Sequence, residues 1–86
     1  MKKIVREVEN EGLMKLMGQK VTLLCANYFY TGVLVGVNRK CVLLEDPAIV
    51  YETGEWSATK YKDEQKLGYK EWYVMLSAIE SFGPSK

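Results

Sequence analysis

The sequence predicts an all-β fold: a small, strongly bent five-stranded barrel preceded by one short helix. Three observations carry that expectation. Short runs of β-branched and apolar residues recur along the chain and are separated by turn residues. One of these runs contains Gly32 and Gly36, where glycine costs strand entropy and marks a bend or a close backbone approach. The chain has 86 residues, 48% of them hydrophobic, which makes one domain with a modest core. So short a sheet cannot bury its inner side chains while flat, but it can do so by curling at its glycines. A single domain over 1–86 is expected, with no repeat and no second domain.

In chain order, residues 3–9 carry no clear pattern. Leu13, Met14, Leu16 and Met17 have helical spacing, with Asn10 as a candidate N-cap and Gly18 as the stop, so a helix is expected over 10–17. Strands one to three occupy 20–46. The first is KVTLLC at 20–25. A tight turn at Ala26-Asn27 leads to the second, 28–37, bent near Gly32 and Gly36; Asn38-Arg39-Lys40 turns the chain into the third. Glu45-Asp46 reads as a strand end. Pro47 requires a bulge or an edge, beyond which 49–51 can extend the strand. Residues 53–69 are polar and read as a long variable loop or projecting hairpin tip. Strands four and five lie within 71–82 (EWYVML, a brief Ser77-Ala78 turn, then 79–82).

The charge balance is close to neutral, 12 Lys+Arg against 11 Asp+Glu, which argues against binding driven by global charge. Its distribution is uneven: residues 21–44 hold Arg39 and Lys40 and no acid, whereas Glu45, Asp46, Glu52 and Glu55 follow closely. The chain has no histidine, nucleophile elbow, phosphate-binding glycine loop or metal-ligand cluster, so no catalytic residue, metal or cofactor is expected. No apolar run approaches the roughly 20 residues that span a bilayer, and MKKIVREVEN lacks the apolar core of a signal peptide. Cys25 and Cys41 are expected as reduced, buried thiols of a cytoplasmic protein.

These elements resemble the Sm/LSm (Hfq-like) family of RNA-binding ring proteins. The residues that carry the likeness are Leu16-x-Gly18, Val21-x-Leu23, Gly32-x-Leu34, Leu43-Leu44 and Val74-x-x-x-Ala78-Ile79-Glu80-Ser81, within 12–46 and 72–82. The resemblance implies a closed homo-oligomeric ring of about five to seven subunits. In it, strand four of one subunit pairs with strand five of the next, and single-stranded RNA or DNA binds near the pore. The residues agree with an interface there. Trp72, Tyr73, Val74 and Met75 are apolar on both faces of strand four, and Ile79 and Phe82 face them from strand five, whose open edges would otherwise template aggregation.

The resemblance also implies that the turn between strands two and three lines the pore. Asn38 is then a candidate for a base edge, and Arg39 and Lys40 for phosphates or stacking. Lys40 stands where the family carries a stacking aromatic, and Leu76-Ser77 where it carries a basic residue. Replacement aromatics are Tyr28 and Tyr30, which share one face of strand two. Lys60-Tyr61-Lys62 forms a second basic-aromatic cluster. The function expected is a ring-forming single-stranded nucleic-acid binder, a chaperone or processing accessory. The alternative is a non-catalytic structural or protein-interaction barrel that uses 53–69 as its contact surface.

Overall fold

Lys20–Cys25 (β1) and Phe29–Val37 (β2) form the first antiparallel hairpin, with Thr22 opposite Thr31 and Leu23 opposite Tyr30. The computed structural model describes residues 3–6 and 11–86. Cys41–Glu52 (β3) returns along the whole of β2. Two strands then share the far side of β3. Asp63–Lys66 (β4) pairs with its second half and Glu71–Met75 (β5) with its first. A 3-10 turn, Leu76–Ala78, leads into Ile79–Pro84 (β6), which pairs with β1. The chain is therefore all-β with one short helix. The described residues form six strands where five were expected, because part of 53–69 is β4.

β5 and β6 lie on opposite sides of the sheet, yet only the 3-10 turn joins them. In a flat sheet four strand spacings of about 4.8 Å would separate them, more than so short a link spans once it has turned the chain. The sheet therefore curls, and Val21, Leu23, Leu34, Val42, Leu44 and Val74 meet in one core. It does not close. Among the described residues no ladder joins β6 to β4 or β5, so the expected barrel is not formed. Ser77-Ala78, expected as a turn between neighbouring strands, has a different task. The 3-10 segment carries the chain from one edge of the sheet to the other.

The bends fall at the glycines. Gly32 faces two residues of β3, Asp46 and Pro47, because Thr31 pairs with Ala48 and Val33 with Glu45. Such a two-against-one bulge bends a strand. Asp46 adopts φ 50, a left-handed value that Asp tolerates, and Pro47 is buried. The acidic pair thus lies inside β3 rather than at its end. A second bulge leaves Val35 unpaired between Leu34↔Leu44 and Gly36↔Leu43. The helix is shorter than expected, Gly12–Lys15 (α1), since Leu16 and Met17 bond back to Leu13 and Met14 in tighter i→i+3 turns. Leu16 is buried in the core and Leu13 packs against it. The expected cap Asn10 lies outside the described residues. Cys25 is buried and its thiol is pushed up by desolvation first and the Glu80 charge second; Cys41, expected buried, is only half-buried.

The second face of the sheet is covered too, by the segment expected to be a loop. Tyr61 is buried over β1, its hydroxyl 2.7 Å from Thr22 Oγ1, which lies 2.8 Å from Ser85 Oγ. Glu64 accepts a hydrogen bond from Thr31 Oγ1 and pairs with Lys20 at 3.2 Å. Trp56 stands edge-on to Tyr61 at 6.4 Å, and Lys86 Nζ lies 5.1 Å from the Tyr61 ring centre. A polar strand such as DEQK has no apolar alternation, so its pairing leaves no trace in hydropathy. Tyr61→Phe keeps the ring and removes one buried hydroxyl bond. We expect a loss of about 1 kcal/mol in urea unfolding, because Thr22 keeps Ser85 as a partner. A variant as stable as the parent would mean that the hydroxyl bond is not made.

Candidate nucleic-acid interface

The β2–β3 turn is held by its own side chain. Asn38 Oδ1 accepts the N–H of Lys40 at 2.7 Å and of Cys41 at 2.9 Å, while Asn38 N–H donates to Cys41 O at 3.0 Å. This is the local hydrogen bonding that makes Asn a turn residue. The side-chain oxygen of Asn38, the residue expected to read a base edge, thus shapes the turn. Arg39 and Lys40 are exposed at the tip.

Beside the turn lies a cleft of about 660 Å³ between α1, the 3-10 turn and β6. Leu13, Val37, Leu76 and Phe82 form its apolar wall, and Asn38, Arg39, Arg6 and Glu11 its polar rim. Glu11 does not cancel the positive end. Its carboxylate accepts the Arg6 backbone N–H at 2.5 Å and pairs with Lys3 at 3.3 Å. The Arg6 donor first, then Lys3, holds that carboxyl below its ordinary range. Arg39, Lys40 and Arg6 therefore set the sign of this end.

The edge strands are unequal. Leu76 N–H donates to Lys40 O at 2.8 Å, which makes 40 and 76 a hydrogen-bonded pair. Bonded and non-bonded pairs alternate along an antiparallel ladder. Val42↔Val74 is then a bonded pair, whereas the backbone N–H groups of Tyr73 and Met75 point away from β3; the Met75 carbonyl caps the 3-10 turn that follows. The side chains of Tyr73 and Met75 are exposed, at 64% and 53%. On β6, Ser85 N–H donates to Lys20 O at 2.9 Å, and the same alternation turns the backbone N–H of Phe82 outward. Phe82 is 42% exposed, and Pro84 on the same side has no N–H to offer. The outer edge of β4, by contrast, carries Asp63, Glu64, Gln65 and Lys66.

Of the expected interface residues, Tyr73, Met75 and Phe82 are available to a partner. Val74 is buried, and Trp72 and Ile79 pack against the core, with Trp72 also stacked on Tyr69 at 5.5 Å. The expected binding residues do not gather into one site. Tyr28 and Tyr30 lie at the start of β2 and Asn38 just past its end, so the nine-residue strand separates them. Tyr61 is sheltered and hydrogen-bonded, which leaves its ring no face for a base; Lys62 pairs with Glu52 at 3.2 Å, and Lys60 is exposed. Sequence reasoning missed Tyr51, Glu52 and Trp56. Their partners, Tyr28 and Phe29, become neighbours only through the pairing of β2 with β3 and the fold of 53–62.

Among the described residues no His, Cys, Asp and Glu side chains group to hold a metal ion, and no helix is long and apolar enough to cross a membrane. No protein-family model matches the chain, and neither a curated protein nor a solved structure matches it.

Proposed function

We propose that the chain is a ring-forming single-stranded nucleic-acid binder, more specifically of RNA, that acts as a chaperone or processing accessory. Its curled sheet is an incomplete Sm-like barrel that the neighbouring subunit completes. The observation that carries this reading is the inequality of the edges. β4 presents charges, a device that discourages pairing, whereas β5 and β6 turn the backbone N–H groups of Tyr73, Met75 and Phe82 away from the strands they pair with. Pairing β5 of one copy with β6 of the next satisfies both edges and repeats head-to-tail until it closes.

Ring closure also gives the turn its force. A net charge of +1 attracts no polyanion, but Arg39 and Lys40 repeated around an annulus do. Arg39→Ala/Lys40→Ala, titrated with a labelled single-stranded oligonucleotide, is expected to lower affinity at moderate salt at least about tenfold. The plot of log affinity against log salt should flatten by about 0.7 for each phosphate that the variant no longer neutralises. A double mutant that binds like the parent leaves the turn as a solvated tip and removes the reading.

A further inference from the structure

The opposite end of β2 carries a cleft of opposite chemistry. Tyr28 and Tyr51 wall it, their rings 6.2 Å apart at 79°, and Tyr30 backs Tyr28 edge-on at 6.5 Å. The cleft measures about 510 Å³. Asn27 and Thr53 contribute polar rim, and Glu52 is the one charged residue among the described residues that line it.

A backbone bulge and a side-chain ion pair build this site. Val50 pairs with Glu64 and Glu52 with Asp63, which leaves Tyr51 as the extra residue of a β3 bulge. Bulges re-aim side chains, and this one leaves Tyr51 53% exposed opposite Tyr28, itself 47% exposed. Glu52 in turn holds Lys62 at 3.2 Å, with both side chains more than half exposed. Such a surface pair is weak and exchanges readily. The chain thus already seats a cation at the mouth of the cleft.

A phosphate entering here meets a carboxylate. A cation meets that carboxylate beside two tyrosine rings, whose π systems attract it. The geometry points to a guanidinium site: the cleft takes an arginine side chain of a partner polypeptide, stacked on Tyr28 or Tyr51 and forked onto Glu52 in exchange for Lys62. Arginine suits it better than lysine because the guanidinium is planar, weakly hydrated and bidentate toward carboxylates. The site is independent of the proposed nucleic-acid surface, since β2 separates Tyr28 from Asn38.

The test is fluorescence anisotropy of a labelled arginine-glycine repeat peptide at low salt, beside the same peptide with citrulline, the neutral isostere, in place of arginine. The arginine peptide is expected to bind and the citrulline peptide to bind at least about fivefold more weakly. Tyr51→Leu and Glu52→Gln should each weaken the arginine peptide about threefold to fivefold. Lys62→Ala should strengthen it about twofold, because the competing cation is gone. Arg39→Ala/Lys40→Ala should leave it unchanged. Equal binding of the citrulline peptide, or weaker binding after Lys62→Ala, overturns the site. So does a Tyr51→Leu variant that loses oligonucleotide rather than peptide, which makes the cleft a base-stacking platform. Glu52 and Lys62 are exposed surface residues, so their variants carry the test even where Tyr51→Leu lowers stability.

Discussion

Met75→Pro turns the proposed ring into monomers that keep their fold. The Met75 side chain is exposed and its N–H points away from β3, so the subunit loses no ladder bond of its own. The neighbour's β6 would lose a donor and meet the pyrrolidine ring instead. Light scattering should give a single-chain mass, while far-UV circular dichroism stays that of the parent. Val74→Pro is the informative contrast. Val74 is buried and hydrogen-bonds Val42, so proline there should cost about 3 kcal/mol or more and unfold the subunit itself. If Met75→Pro keeps the parent's mass, β5 is not the assembly edge.

Gly32→Val is the substitution expected to damage the fold most among the glycines of β2. A Cβ there stands 3.0 Å from the backbone oxygen of Glu45 and 3.0 Å from Leu44 Cβ, both fixed by the ladder. Overpacking of this kind costs about 1–3 kcal/mol, and backbone atoms yield less than a side-chain tip, so we expect about 3 kcal/mol. For a domain this size that lowers Tm by at least about 10 °C. At Gly36 the nearest atom is Leu43 Cβ at 3.3 Å, a milder approach, and Gly36→Val should cost about 1 kcal/mol. The ordering is the test. Equal melting of the two variants, or greater loss at Gly36, would mean that the sharper bend is not at Gly32.

The contrast between these glycines also marks how far the sequence could be read. Gly32 and Gly36 in a valine-rich run announced a bent strand, and both lie at bulges. The hairpins of β1, β2 and β3 were legible because their alternation and turn residues act locally. β4 was not, because DEQK pairs through its backbone and through partners distant in sequence, Lys20 and Thr31. The same holds for the sites. Arg39 and Lys40 stand out in an acid-free stretch, and their exposure follows from a turn that Asn38 closes. Tyr61, by contrast, looked like a surface ring between two lysines. Only the fold of 53–62 over Thr22 shows it to be packing. Tyr51 and Glu52 carried no signal, since a bulge and a cross-strand neighbour create their cleft.

Assembly and nucleic-acid binding meet in one measurement: the mass in solution, by light scattering at low salt, of the species formed with one single-stranded RNA oligonucleotide. The account predicts a single complex of about five to seven chains, each of 9.9 kDa, carrying the oligonucleotide. A 9.9 kDa monomer that leaves the RNA free, at tens of micromolar protein, would contradict it.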